Sequence, residues 1–208
     1  MTLLLIRHAE SSGNSTGRIQ GWSDAALTAA GVAQAAALAR RLATLRLDAI
    51  YASPLSRAHD TARSIAEVAG LNVTLMDGLR ERFYGQAQGL TWDQAALRWP
   101  AEASHHDDWA AKVPEVESIP ALRDRAVAAV SEVLDRHDGG LAVCVSHGGT
   151  IAQIVGNILG LPVGVWPRVR LSNTSVTVID GTSAAPVLRA LNDICHLSPE
   201  QRRVTLAL

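Results

Sequence analysis

Cysteine is scarce: the 208 residues hold two, Cys144 inside an apolar run and Cys195 near the far end. That pair offers neither a disulfide framework nor metal-ligand spacing, and it sets a reducing, cytoplasmic compartment as the expectation. A basic excess is also missing, since 19 Lys and Arg stand against 20 Asp and Glu for a net charge of -1. The sequence therefore predicts no nucleic-acid partner and no anionic membrane surface, both of which need concentrated positive charge. Lysine is nearly absent, with Lys112 the sole example, a bias that carries no functional weight. No stretch approaches the roughly 18 apolar residues of a membrane span, and the opening apolar run is too short for a secretory core, so an untargeted chain is expected. Internal repeats and low-complexity linkers are absent as well. At 22.0 kDa the chain is long enough to bury a core without a metal or disulfide staple, and the expectation is a single domain over 1–208.

Against these absences stand two short, unbroken apolar runs. Leu3-Leu4-Leu5-Ile6 is followed at once by Arg7 and His8, and Leu141-Ala142-Val143-Cys144-Val145 by Ser146, His147, Gly148 and Gly149. Both read as buried parallel strands that deliver polar groups to their carboxyl ends, which is where open α/β sheets bind ligands. A guanidinium beside an imidazole at such a point suits a phosphate. The fork of donors grips the oxygens, while a neutral ring nitrogen approaches phosphorus without charge repulsion. Gly148 and Gly149 let the backbone turn and come close to a ligand before the next helix, expected over 151–159.

Between these runs strands and helices alternate. Residues 9–26 are loop by composition. Thr28 caps a helix expected to reach about Leu45, with Leu27 and Val32 placed as a hydrophobic staple. A strand over 48–53 leads to a helix opened by Pro54 with Ser53 as its cap, which puts Arg57 in a first turn at the same sheet edge as Arg7 and His8. Leu71 to Leu75 alternates as a strand and feeds the charged turn Leu79-Arg80-Glu81-Arg82. Residues 91–118 are the least regular portion and are expected to form a lid or rim insertion. Within them His105-His106-Asp107-Asp108 is a poor metal site, because adjacent residues on a helix do not face one another. Ser118 caps a helix whose stripe of Ile119, Leu122, Ala126, Val130, Val133 and His137 ends at Gly139-Gly140. Ser175 to Ile179 and Val187 to Leu191 are two further strands, either a hairpin or separate members of the sheet. The alternation predicts an α/β fold with a mostly parallel sheet and right-handed crossovers.

The blocks Leu5-Ile6-Arg7-His8-Ala9-Glu10-Ser11, Asn14, Gln20-Gly21-Trp22, Ala52-Ser53-Pro54-Leu55-Ser56-Arg57-Ala58, Leu79-Arg80-Glu81 with Gly85, and Val145-Ser146-His147-Gly148-Gly149 together resemble the histidine phosphatase superfamily, the phosphoglycerate mutase-like proteins. The resemblance runs in order from residue 3 to about 180. It implies a three-layer α/β/α sandwich, His8 as phosphorylated nucleophile, Arg7, Arg57 and His147 as the phosphate pocket, and Glu81 as proton donor. Asn14, Gln20, Gly21 and Gly148 are implied as neighbouring phosphate or substrate contacts.

The chemistry agrees with these roles. Phosphoryl transfer asks for an in-line nucleophile and positive charge around three equatorial oxygens, which two arginines supply, so no metal or cofactor is expected. Glu81 should begin protonated, next to a phosphate dianion, and then activate water. Ala9 stands where glycine is common in that family, and Gln86-Ala87-Gln88-Gly89 where Trp-Glu-Gly is common. The stretch after Leu90 lacks the lysine and paired arginines that hold a phosphoglycerate carboxylate in the mutase branch. The expected function is thus a metal-independent phosphomonoesterase for a small phosphorylated metabolite. The alternatives are a cofactor-dependent phosphoglycerate mutase, similar at Glu81-Arg82-Phe83-Tyr84-Gly85, and an inactive phosphate-recognising module. Trp22, Arg82, Tyr84, Trp92, Trp99 and His106 are rim candidates that could equally be packing.

Overall fold

The computed structural model describes residues 1–100, 109–137, 139–163 and 168–206. Along them run β1 (Thr2–Arg7), α1 (Ser12–Ser15), α2 (Ala29–Leu42), β2 (Ala49–Ala52), α3 (Ser56–Ala69), β3 (Val73–Leu75), α4 (Trp92–Arg98), α5 (Ile119–Arg136), β4 (Leu141–Ser146), α6 (Gly148–Ile158), β5 (Val176–Thr182), β6 (Ala185–Asp193) and α7 (Pro199–Leu206). One sheet carries the strands in the order β3-β2-β4-β1-β5-β6. The first four are mutually parallel, while β5 and β6 are antiparallel. The two tail strands thus form a hairpin that also joins the sheet, β5 lying against β1.

The apolar runs become the sheet centre because only there are both faces covered. Side chains alternate across a strand, so Leu3 and Leu5 of β1 pack with Ala142 and Cys144 of β4 against Val130 and Val133 of α5 and Ile151 and Val155 of α6. Leu4, Ile6, Val143 and Val145 face the other way, onto Leu38 and Leu42 of α2 and Ala58, Ala62 and Ile65 of α3. The result is the three-layer α/β/α sandwich with a mostly parallel sheet. Each Leu, Ile or Val buried on these faces contributes about 1.5–3 kcal/mol. Register then fixes the functional edge. Pairing runs from Thr2↔Leu141 to Arg7↔Ser146, so the residues that follow, His8 and His147, leave the sheet side by side.

Several local expectations change. Thr28 does cap α2, its hydroxyl accepting from Gly31 N at 3.0 Å, but the helix stops at Leu42 and Val32 is 58% exposed, so no staple forms. The buried residues of α2 are Gly31, Gln34, Ala35, Ala37, Leu38, Ala39 and Leu42. Helix α3 begins at Ser56 with Leu55 as its N-cap, later than Pro54; the Ser53 hydroxyl accepts from Leu55 N at 3.3 Å and also meets His147 Nε2 at 2.8 Å. Arg57 remains in the first turn. Ser118 caps α5 as expected, accepting from Ala121 N at 3.2 Å. Residues 91–118 are partly regular: Thr91 and Gln94 form a capping box for α4, and Ala95, Ala110 and Val113 share a small core with Ile19, Tyr84 and Ala87. His105-His106-Asp107-Asp108 lies outside the described residues.

Candidate functional site

His8 is 3% exposed, and its Nδ1 lies 2.7 Å from the carbonyl oxygen of Ala9. A carbonyl can only accept, so Nδ1 carries the ring proton and Nε2 presents a lone pair. Burial, then the cations Arg57 and Arg7, hold the ring well below its ordinary pKa, which keeps it neutral. The His147 ring is centred 5.1 Å away and tilted by 58°. It too is held neutral, chiefly by burial and then by Arg57. Its Nε2 meets Ser53 Oγ, while Nδ1 has no partner among the described residues.

Arg7 donates through Nη1 to the Leu171 carbonyl. Arg57, 1% exposed, donates to the carbonyls of Ser23 at 3.0 Å and Gly21 at 2.8 Å, which fastens the loop over 9–26 to α3. Burial outweighs the attraction of Glu81 and Asp24 and lowers the Arg57 pKa to about 10, so it stays cationic at neutral pH. In the same loop Ser11 binds both Asn14 Oδ1 and Gln20 Oε1, at 2.9 and 2.7 Å. Asn14 Oδ1 also accepts from Ser11 N at 3.1 Å and from Asn173 Nδ2 at 3.4 Å, and the one hydroxyl proton of Ser11 serves only one of the two amides at a time. Gly13 is required here because a Cβ would lie 2.3 Å from the Gln20 side chain. Gly21, at φ +53°, holds a turn that places it against Gln88. Gly148 sits against the Arg7 guanidinium, with a Cβ position 3.5 Å from Nε.

Glu81 faces these cations from the turn after β3. Its carboxylate accepts from the backbone N–H of Arg82 at 2.8 Å, Gly149 at 3.1 Å and Thr150 at 3.2 Å. Two of those donors are the unpaired N–H groups at the start of α6, where the helix dipole favours an anion. The turn itself is clamped by Arg125 of α5. That guanidinium donates to the carbonyls of Gly78, Arg80 and Glu81 at 3.0, 2.7 and 2.8 Å and forms a two-pronged pair with Glu117 at 2.6 and 2.8 Å. Glu117 in turn accepts from Phe83 N at 3.2 Å. Trp22 Nε1 adds a bond to the Glu81 carbonyl at 2.7 Å.

These groups border a cleft of about 520 Å³ lined by Arg7, His8, Asn14, Gln20, Gly21, Arg57, Glu81 and Gly148 among others. Of the candidates for catalysis and phosphate contact, all but His147 line this cleft; His147 is fully buried behind it, its ring packed against that of His8. Of the rim candidates, Tyr84 and Trp92 line the cleft. Arg82 does not: it is 1% exposed, stacks 5.5 Å over Tyr84 and donates to the Glu117 carbonyl, so it is packing. Trp99 packs against the small core near Ile19, and His106 lies outside the described residues. The sequence reading did not single out Arg18, Arg170, Ser172, Asn173 and Asn192, all of which line the cleft. Asn173 Nδ2 donates to the His8 carbonyl at 2.9 Å; only its polar, turn-like setting hinted at a role. No cluster of three or more potential metal ligands occurs among the described residues.

Comparison with known proteins agrees with this geometry. A family model described as histidine phosphatase superfamily (branch 1) matches residues 3–194. A protein named probable phosphoglycerate mutase GpmB from Enterobacter sp. (strain 638) is 35% identical over 207 residues, covering 95% of each chain. Among solved structures, Bacillus stearothermophilus YhfR superposes with a TM-score of 0.86 at 29% identity, covering 94% of this chain and 98% of its own. A mycobacterial glucosyl-3-phosphoglycerate phosphatase complexed with VO3 gives 0.83 at 31% identity, covering 93% and 99%.

Proposed function

The chain belongs to the histidine phosphatase superfamily, and from that premise we propose that it is a metal-independent phosphomonoesterase that hydrolyses a small phosphorylated metabolite through a phosphohistidine. One observation carries the reading. Six buried polar side-chain atoms lack a partner among the described residues, and three of them are Arg7 Nε, Arg57 Nε and His147 Nδ1, drawn from the cationic and imidazole groups around His8. Buried nitrogens left unpaired cost about 1–3 kcal/mol each, a cost that an oxyanion bound among them removes.

In this reading His8 Nε2 attacks phosphorus in line with the leaving oxygen. An N–P bond forms as the P–O bond breaks, and the departing alkoxide takes a proton from Glu81. Arg7 and Arg57 neutralise the equatorial oxygens. With Ser53 donating to His147 Nε2, Nδ1 carries the proton and offers a further donor. The phosphorylated ring is cationic, and the Ala9 carbonyl, already accepting from Nδ1, stabilises it. Glu81, now ionised, takes a proton from water as the water oxygen attacks phosphorus, which frees phosphate and restores the imidazole.

The test is hydrolysis of an aryl phosphate in EDTA, expected to proceed in the wild type and to fall more than about a thousandfold in His8→Ala. Equal turnover by both proteins rejects the reading. A second reading, phosphoglycerate mutase, is favoured by the 35% identical relative of that name. It requires interconversion of 3- and 2-phosphoglycerate faster than phosphate release, and absence of the isomer removes it.

A further inference from the structure

One buried polar side chain close to His8 has no place in the mechanism just derived. Gln34 is among the buried residues of α2, which are otherwise glycine, alanine and leucine, and an amide in such surroundings costs free energy unless it is hydrogen-bonded. It is not among the residues that line the cleft. Its Oε1 accepts from the backbone N–H of Glu10 at 2.9 Å. That N–H and the Ala9 carbonyl belong to one peptide group, and the Ala9 carbonyl is the acceptor for His8 Nδ1 at 2.7 Å. Two hydrogen bonds therefore run from Gln34, through a single peptide plane, to the imidazole. Neighbouring contacts hold the backbone on either side. Ala9 N donates to Thr61 Oγ1 at 3.0 Å, and the Glu10 carbonyl accepts from Thr28 N at 3.0 Å. Of these contacts, only that of Gln34 is made to the peptide group whose carbonyl meets the ring.

Hydrogen bonds joined in a chain polarise one another, so an acceptor on the N–H end makes the carbonyl at the other end a stronger acceptor. Resting on the phosphohistidine reading, we propose that Gln34 is a positioning residue for His8: by fixing and polarising the peptide between Ala9 and Glu10, it keeps the ring proton on Nδ1 before and after phosphoryl transfer. Before transfer, this leaves the Nε2 lone pair free for phosphorus. After transfer the ring is cationic, and the strengthened carbonyl holds its Nδ1 proton in place. That proton matters when the intermediate breaks down. As the water oxygen bonds to phosphorus and Glu81 takes the water proton, the N–P bond breaks and its electron pair returns to Nε2. With Nδ1 protonated the ring departs as neutral imidazole; without that proton it would depart as an anion. Outer partners of metal-bound histidines act in the same way on tautomer, ring angle and basicity.

The experiment follows single turnovers of p-nitrophenyl phosphate and propyl phosphate by the full chain, together with nitrogen NMR of the His8 ring. Gln34→Met keeps the stem and removes the acceptor. Phosphorylation should slow about tenfold, the lower end of the loss when a histidine's orienting partner is removed. Both esters should slow equally, because the nucleophile and not the leaving group is affected, and the Kd for inorganic phosphate should be unchanged. Breakdown of the phosphohistidine falls at alkaline pH as Nδ1 loses its proton, and in the variant this limb should move down by about half a pH unit. The charged and titratable groups around the ring, Arg7, Arg57, Glu81 and His147, and Glu10 beside Gln34, are the same in both proteins, so the displacement reports the acceptor. Gln34→Glu keeps an oxygen in that place and should restore both rates, with the limb at or above its wild-type position. A Gln34→Met protein that loses thermal stability yet keeps the wild-type tautomer and limb overturns the proposal, as does a limb below wild type in Gln34→Glu or a larger slowing of one ester. A wild-type ring with its proton on Nε2 overturns it without any variant and leaves the phosphatase reading standing. Wild-type turnover with no phosphohistidine, or no turnover at all, removes that reading and the proposal together.

Discussion

Arg125 is the residue whose removal best separates placing the acid from holding up the fold. Its side chain is 22% exposed and that of its partner Glu117 is 14% exposed, so Arg125→Met keeps the aliphatic stem but strands a largely buried carboxylate. Three carbonyls in the Glu81 turn lose a donor at the same time. Breaking a buried ion pair costs about 3–5 kcal/mol; the partial exposure favours the lower end. About 3 kcal/mol corresponds to a fall in Tm of roughly 6–12 °C for a chain of this length. The kinetic consequence is sharper. A general acid contributes about 10²–10⁴-fold where the leaving group needs a proton, and a displaced Glu81 forfeits part of that. First-turnover release of an alkyl alcohol should therefore slow by about a hundredfold. p-Nitrophenolate leaves without a proton, so its burst should slow only a few-fold. The assay is a quenched pre-steady-state comparison of the two esters well below the variant's Tm. Equal slowing of both esters, or of neither, refutes the claim that Arg125 acts through the placement of Glu81.

Three other outcomes follow from the same geometry. His8 and His147 are held neutral in the fold, with pKa values well below the ordinary 6.5, so the unfolded chain binds more protons on acidification. Stability should be fully present above pH 6.5 and be lost as pH falls toward the folded values, with a slope approaching about 1.4 kcal/mol per pH unit for each ring; urea titrations from pH 8 to 5 measure it, and a flat profile contradicts it. Gly31→Ala gains about 1 kcal/mol of helix propensity, yet its Cβ would lie 2.0 Å from the Glu10 carbonyl oxygen, so a net loss of about 2 kcal/mol is expected, and unchanged thermal stability would contradict the contact. Ser53→Ala leaves a buried histidine nitrogen unpaired, at about 1–3 kcal/mol, and should weaken inhibition by inorganic phosphate; calorimetry and a competition assay read the two effects.

The central strands and the residues that follow them were legible because an unbroken apolar run has one comfortable place in an α/β sheet, and the run dictates where its polar end emerges. Arg57 could be located from a strand followed by a helix start, even though the start lies two residues later than the proline suggested. Ser53 lies too early to cap α3, whose N-cap is Leu55, and nothing local reveals that its hydroxyl meets the histidine that follows β4. The same holds for Arg125 and Glu117. As members of an amphipathic helix and its approach they look like solvated charges, and their partners come from a turn that adjoins them only after the chain has folded. Asn173 was invisible for a related cause, since Ser-Asn-Thr-Ser reads as an ordinary polar loop until β5 brings it under the carbonyl of His8.

The side-by-side emergence of the two histidines follows from backbone pairing between β1 and β4, whereas the mouth of the cleft is tied by side chains such as Arg18, Trp22 and Gln88 reaching between loops. The pair of histidines and the mouth of the cleft are therefore written in separable parts of the chain. A designer could exchange the mouth as a cassette and retain the two histidines, but could not relocate that pair without rebuilding the sheet that carries it.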